Sequence, residues 1–327
     1  MDPKNVVITY KAPPAQRKLI QDLLGHECRL VFLAGLPAPE REQALESADA
    51  LLSWNVPREI QAAEYASLGR AKFLQLLSAG ADHVPFSDLP PNLAVASNAG
   101  AYAEPMAEHV MAMTLALAKR LLFQNEKLKH EEFDQSSPNR MLRGMTAGII
   151  GFGGIGRAAA RLMRPFGMRI MAINSSGRSD EPAEFVGTLA DLARVLIDSD
   201  VVVLCLPLMK LTRNLIGNRQ LELMKPDAIL INVARGGLID EQALYRHAKS
   251  NLDFQVGIDA WWSEPFGHGE FHMEFPFLDL PNVIGSPHNS AIVPSILDDG
   301  ARRAAANVLG FLRGEPPAGI VRRDDYV

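Results

Sequence analysis

Short apolar runs alternate with amphipathic stretches along most of the chain, in two successive series. In the first series the runs 5–10 (NVVITY), 28–35 (CRLVFLAG), 48–54 (ADALLSW), 71–80 (AKFLQLLSAG) and 92–100 (NLAVASNAG) have the length and content of strands buried on both faces. Between them, segments such as 13–26 (PPAQRKLIQDLLGH) and 58–70 (REIQAAEYASLGR) carry apolar residues at helical spacing. That alternation predicts a parallel sheet wrapped by helices. Residues 104–124 (EPMAEHVMAMTLALAKRLLFQ) read as one long apolar helix with Pro105 in its first turn, where a missing N–H costs little. A polar connection, 130–140, follows it. The second series starts at Thr146, with strands expected at 146–151, 169–174, 185–189, 200–207, 228–234, 254–261 and 282–288. Residues 296–314 form a long amphipathic pattern, expected to return to the first domain. The expected fold is α/β, with two Rossmann-like or flavodoxin-like domains of parallel sheet flanked by helices. Residues 1–100 plus 292–327 would form a substrate (catalytic) domain, and 101–291 a dinucleotide-binding domain.

Composition narrows the function classes. A net charge of −5 gives no reason to expect a nucleic-acid or membrane surface. The N-terminal MDPKNVVITYKAPP lacks the basic start and apolar core of a secretory signal. The longest apolar stretch, 104–124, is interrupted by Glu104, Glu108, His109, Lys119 and Arg120, so it reads as a core helix rather than a membrane span. The two cysteines, Cys28 and Cys205, lie far apart, and Cys205 within VVVLCLP reads as a core thiol. A cytoplasmic location is the expectation.

Candidate chemistry begins at Gly151, Gly153 and Gly156, a G-x-G-x-x-G placed between a strand and a helix. The first glycine permits a tight turn, the second lets the backbone approach a pyrophosphate, and the third lets helix and strand pack closely. The pyrophosphate would meet N–H groups at the helix start. About 20 residues on, where an acid would grip the adenosine ribose, the chain offers Asn174, Ser175, Ser176 and Arg178. No carboxylate repels a 2′-phosphate there, and the serines and arginine can bond one. The cofactor reading is therefore NADP or NAD, leaning towards NADP. In the alternative reading Arg178 faces water and NAD is held through the Asn174 amide.

Three further segments end predicted strands in order: NVARGGLID, GIDAWWSEP and GSPHNS, contributing Arg235, Glu264 and His288. Together with the glycine turn, SAGADH (78–83), AEH (107–109) and PLMKLTRNLIG (207–217), they resemble the D-isomer-specific 2-hydroxyacid dehydrogenase family over nearly the whole chain. The resemblance implies hydride transfer between NAD(P)H and a small 2-oxo acid of the glyoxylate or hydroxypyruvate kind. His288 would be the general acid, Glu264 its partner, and Arg235 the grip on the substrate carboxylate. Backbone amides at Ala79, Gly80 and Ala81, with Arg235 and His288, would bind the substrate. Gly154 and Ile155 would approach the pyrophosphate. Leu206, Pro207 and Thr212 would border the adenosine side, and Val233, Ala234 and Asp259 the nicotinamide. A loop-organising role for Asp259 stays open, and a homodimer is implied by analogy.

Two departures stand out. The connection between Glu264 and His288 is longer than the family usually shows and rich in phenylalanine, so 266–277, with Phe271 and Phe275, is expected to line or lid the substrate pocket. PHNSAIVP also replaces the usual run of small residues. His268 and His272 stand four apart, but Gly267 and Gly269 argue against a helix and no third ligand is evident, so no metal site is assigned. Two other functions compete: a dinucleotide-sensing corepressor-like binding protein, and a biosynthetic dehydrogenase of a phosphorylated or bulkier hydroxy acid.

Overall fold

A computed structural model of the chain describes residues 3–327. They form two compact units, one made of the residues up to Tyr102 together with Val293–Val327, the other of Ala103–Ile292. In the first unit, β1 (Lys4–Ile8), β2 (Cys28–Phe32), β3 (Ala50–Ser53), β4 (Phe73–Leu76) and β5 (Ala94–Ala96) run parallel in the order β2-β1-β3-β4-β5. This is the flavodoxin-like doubly wound order. Alternate side chains serve opposite faces. Val7, Leu51 and Leu74 pack with Leu45, Tyr65 and Leu68. Val6, Ile8, Leu52 and Phe73 pack with Ile20, Leu24 and the Ala301, Ala304, Ala305 and Val308 stripe of the closing helix Ile296–Leu312. Beyond that helix the tail pairs antiparallel with β5 at Ala96–Ile320, covering an otherwise open sheet edge.

The expected helix at 58–70 is broken. A single turn, Val56–Glu59, is followed by extended Ile60 and a 3-10 stretch, Ala62–Arg70. The Glu59 carboxylate accepts bonds from Thr9 Oγ1 (2.6 Å), Ser53 Oγ (2.7 Å) and the Asn55 N–H (2.6 Å). Those bonds pin the first turn to the sheet edge, and a Gln61–Glu64 capping box restarts the chain in a new direction.

The second unit holds β6 (Thr146–Ile150), β7 (Arg169–Ile173), β8 (Phe185–Gly187), β9 (Val201–Leu204), β10 (Ile229–Asn232), β11 (Gln255–Ile258) and β12 (Val283–Gly285). They are parallel in the order β12-β11-β10-β9-β6-β7-β8, the Rossmann order extended by one strand. The order reverses between β6 and β9, and ligands of such sheets bind beyond the carboxyl ends of the strands at that point.

The expected single helix at 104–124 is two. Ala103–Ala118 buries Met106, Val110, Met113 and Leu117, then stops. The Arg140 N–H takes the Ala118 carbonyl, Lys119 Nζ donates to the Arg140 carbonyl, and Arg120 turns left-handed at φ 51°. The next helix, Leu121–Lys129, buries none of its residues. Among the described residues no helix is long and apolar enough to cross a membrane.

The Phe-rich segment, expected to line or lid the substrate pocket, turns Phe275 and Phe277 inward. Phe277 is fully buried and stacks on Trp262 (centroids 5.4 Å apart), while Phe275 stacks on Tyr245 of the helix Glu241–Ser250 at 5.1 Å. Phe271 meets Trp261 edge-on at 5.6 Å with half of its surface still exposed. An aromatic side chain gains more by filling the space beside β11 and β12 than by standing in solvent over a polar site. Phe277→Ala should therefore destabilise this unit by about 3–5 kcal/mol, and Phe271→Ala by less than about 1 kcal/mol. Urea unfolding followed by tryptophan fluorescence reads both, and equal effects would contradict this packing.

Candidate active site

Every loop of interest in the second unit leaves the carboxyl end of a strand. After β6 the chain turns at Gly151, whose φ of 107° suits glycine alone. A Cβ there would lie 2.6 Å from the Cys205 carbonyl, and one at Gly156 would lie 2.4 Å from the Gly151 oxygen. A Cβ at Gly153 would meet nothing within 4 Å. Two glycines thus close the turn against its own sheet, and the third faces open space. The helix Gly154–Met163 begins there without a side-chain cap, and Gly153 and Gly154 are exposed with Ile155 half-exposed. Such a helix start is a cradle for an anion, and a dinucleotide pyrophosphate fits that chemistry. Beneath it, Cys205 donates its thiol proton to the Gly151 oxygen, and burial raises the thiol pKa to about 12. Cys205 stays protonated as a core group.

The loop after β7 is held together by Asn174. Its Oδ1 accepts from the N–H groups of Ser176 (3.0 Å) and Gly177 (2.8 Å), and its Nδ2 donates to the Arg178 carbonyl (2.7 Å). Asn174 therefore shapes the loop that presents Ser175, Ser176 and Arg178, all exposed. No hydrogen bond or ion pair engages the Arg178 guanidinium among the described residues. Of the two acids that follow, Asp180 is exposed, and at Glu181 the desolvation that would raise its carboxyl is outweighed by Arg161 and Arg164, which hold it below the usual range.

After β9, Leu206 is buried and Pro207 exposed, while buried Thr212 donates to the Pro207 carbonyl and accepts from the Met209 N–H. Thr212 organises this loop. Val233 and Ala234, after β10, are buried. Asn232 fixes the bend that follows: its Oδ1 accepts the Ala234 N–H and its Nδ2 donates to the Arg235 carbonyl. Sequence reasoning missed this role, although an asparagine at a strand end before a turn is its signal. Arg235 is half-buried and its Nη1 donates to the Ala234 carbonyl. At Gly236 a Cβ would stand 2.4–2.5 Å from the Trp261–Trp262 backbone. The missing side chain lets the Arg235 loop lie directly against the loop that carries Glu264.

That loop leaves β11. Glu264 Oε1 accepts the Trp261 N–H at 2.6 Å and Oε2 meets His288 Nδ1 at 2.6 Å. Glu264 is nearly buried, with 14% of its side chain exposed, against 31% for His288. With Nδ1 held by the carboxylate, Nε2 is the nitrogen left to exchange a proton. His288 itself sits left-handed at φ 49°, a conformation that costs about 1–3 kcal/mol for a residue with a side chain. Its neighbours hold it: its N–H donates to the Asp259 carbonyl, and the Asp259 carboxylate accepts from the N–H groups of Asn289 and Ser290. Asp259 is fully buried with its oxygens turned into this loop, the geometry of an organising aspartate rather than of a group presented to a ring. His268 Nδ1 accepts the Glu264 N–H across a one-turn helix, Pro265–His268, that Gly269 ends. His272 lies beyond it, bridged to Ser263.

In the first unit, Ala79, Gly80 and Ala81 follow β4, Ser78 Oγ donates to the Gly80 carbonyl, and Ala81 is buried. In the second, the structure brings together Glu264 and His288 directly and sets Arg235 in the adjoining loop, while the Asn174–Arg178 loop follows β7.

Residues 111–290 match the sequence profile described as D-isomer specific 2-hydroxyacid dehydrogenase, NAD binding domain. A glyoxylate reductase of Thermococcus litoralis is 29% identical, over 99% of this chain and 98% of its own. A D-3-phosphoglycerate dehydrogenase of Methanocaldococcus jannaschii is 31% identical over 88% of this chain and 54% of its own. Among solved structures, D-lactate dehydrogenase from Aquifex aeolicus, complexed with NAD and lactic acid, superposes with a TM-score of 0.75 at 26% identity, covering 95% of this chain and 96% of that one. A glycine turn at the sheet's reversal, an acid-backed histidine and a profile match over more than half of the chain agree: this protein belongs to the D-isomer-specific 2-hydroxyacid dehydrogenase family.

Proposed function

We propose that the protein is an NAD(P)H-dependent reductase that converts a small 2-oxo acid, such as glyoxylate or hydroxypyruvate, to its D-2-hydroxy acid. The observation that carries this reading is the 2.6 Å contact between His288 Nδ1 and Glu264 Oε2, which leaves Nε2 available for a substrate oxygen. When bound, the reduced nicotinamide supplies the hydride. His288 delivers the proton that completes the new hydroxyl, and Glu264 holds its ring in place through Nδ1. Arg235 offers a planar fork to the substrate carboxylate, and we assign the backbone amides of Ala79, Gly80 and Ala81 to the same group. The glycine turn with Gly154 and Ile155 takes the pyrophosphate. Leu206, Pro207 and Thr212 border the adenosine. We assign Val233, Ala234 and Asp259 to the nicotinamide side. Residues 101–291 are then the dinucleotide-binding domain, and the residues before and after them the substrate domain.

The cofactor reading leans to NADPH, supported by the exposed Ser175, Ser176 and Arg178 and by the pairing of Glu181 with Arg161 and Arg164. A biosynthetic dehydrogenase of a phosphorylated hydroxy acid is the second reading, favoured by the similarity to D-3-phosphoglycerate dehydrogenase. We further propose a homodimer. Leu121, Leu122, Leu128, Phe133 and Met141 are all more than half exposed and lie on or just after a helix that buries nothing. A cytoplasmic site of action accords with two free cysteines.

A panel of glyoxylate, hydroxypyruvate and phosphohydroxypyruvate with NADH and NADPH, read at the nicotinamide absorbance, tests the activity. Tight cofactor binding without turnover on any of them would favour a dinucleotide sensor instead. His288→Ala should lower kcat by about 10²–10⁴-fold while leaving cofactor affinity nearly unchanged. Turnover like that of wild type would remove His288 from the mechanism. Arg178→Ala should weaken NADPH binding by about 1.5–3 kcal/mol, towards the lower end because the loop is exposed, and spare NADH. Equal losses in a fluorescence titration would defeat the NADP preference. Light scattering should give twice the monomer mass, and Leu122→Glu with Phe133→Glu should halve it. An unchanged mass would assign that surface another role.

A further inference from the structure

His109 lies on the helix Ala103–Ala118, far in sequence from the His288 loop, yet its Nε2 is 2.9 Å from Ser286 Oγ. The Ser286 hydroxyl is in turn 2.5 Å from Asp259 Oδ1, and His109 Nε2 is 3.7 Å from that same oxygen. A serine hydroxyl has one proton to give. The Asp259 carboxylate already accepts the N–H groups of Asn289 and Ser290, so it takes the serine proton as a further donor. Ser286 Oγ must then accept, and His109 Nε2 must donate. The direction of the chain is fixed: His109 Nε2–H donates to Ser286 Oγ, Ser286 Oγ–H donates to Asp259, and the same carboxylate accepts the amides that follow His288. Trp261 Nε1 also donates to the Ser286 carbonyl at 2.8 Å, anchoring the same residue from the side that carries Glu264.

We infer that His109 and Ser286 are positioning residues that act through Asp259 to hold His288 in its left-handed conformation with Nδ1 on Glu264. His288 has no glycine-like freedom at φ 49°, so its loop needs bonds from outside to keep it there. Asp259 is fully buried and gains its orientation from the relay; Ser286 without His109 can rotate its proton away, and the carboxylate then loses its fixed donor. His109, at 24% exposure, is open enough to be replaced without emptying the core.

The inference rests on His288 being the proton donor, so the test has one readout that needs no reactants and one that does. Glutamine places an N–H donor where His109 Nε2 stands, whereas asparagine, one carbon shorter, does not. In the protein alone, the imidazole proton bridging His288 Nδ1 and Glu264, assigned by its loss in His288→Ala, should persist in His109→Gln. It should broaden or shift in His109→Asn and in Ser286→Ala. With glyoxylate or hydroxypyruvate and either reduced dinucleotide, kcat should stay within about threefold of wild type in H109Q. It should fall about 10–100-fold in H109N and S286A, with the dissociation constant for the dinucleotide unchanged. The H109N/S286A double variant should be no worse than either single. An unaltered bridging proton in H109N, or equal losses in H109Q and H109N, would overturn the relay. A lost bridging proton with undiminished kcat would leave the relay standing and remove His288 as proton donor instead.

Discussion

One carboxylate joins the loops on which the site depends. Glu264 accepts the Trp261 N–H with one oxygen and holds His288 Nδ1 with the other, so a backbone bend and a side-chain ring share one buried acid. Short bonds to a charged acceptor are stronger than neutral ones, and here they fix the histidine's position and leave Nε2 as its working nitrogen. Arg235 enters the same neighbourhood because Gly236 has no side chain to keep the Trp261–Trp262 backbone away. Substitution at Gly236 would separate the guanidinium loop from the acid without touching either group.

This arrangement follows from sheet topology more than from any single motif. In a parallel sheet all strands end on one side, so loops far apart in sequence open onto a common edge. The glycine turn, the Asn174 loop, Arg235, Glu264 and His288 follow β6, β7, β10, β11 and β12 respectively. Strands buried on both faces make that edge rigid: Ile149, Ile150, Val202, Leu204, Leu230, Ile231, Val256 and Ile258 are essentially inaccessible. The chemistry sits on loops, while their placement is set by a core that leaves the strands no freedom to slide.

Much of this was legible before any coordinates. Apolar runs gave nearly all the strands, and the spacing of Gly151, Gly153 and Gly156 located the turn, because both signals are local. What escaped was non-local. The stop at Ala118 depends on Arg140, over twenty residues away, taking its carbonyl. The break at Ile60 depends on Thr9 and Ser53 engaging Glu59. Composition reports the hydrophobicity of the aromatic segment and not its direction; Tyr245 and Trp262 supply the direction for Phe275 and Phe277. Asn174 and Thr212 spend polar atoms shaping their own loops, and Asp259 shapes the neighbouring loop that carries His288, roles that position at a strand end does not reveal. Asn232 carries the strand-end signal for such a role, but the partners that define it, the Ala234 N–H and the Arg235 carbonyl, are set by the fold.

The division of labour that emerges explains the long connection between Glu264 and His288. Phe277 and Phe275 pack it onto Trp262 and Tyr245, and Phe271 covers one edge of Trp261, whose indole N–H holds the Ser286 carbonyl. The residues between Glu264 and His288 therefore thicken the wall behind the acid–histidine pair. A strained histidine needs surroundings that over-determine its backbone. Here the aromatic wall bears on it through Trp261 and Ser286, and the polar side through Asp259. Rigidity at His288 is thus assembled from both sides of one loop, with the Trp261–Ser286 bond as the link to the aromatic side.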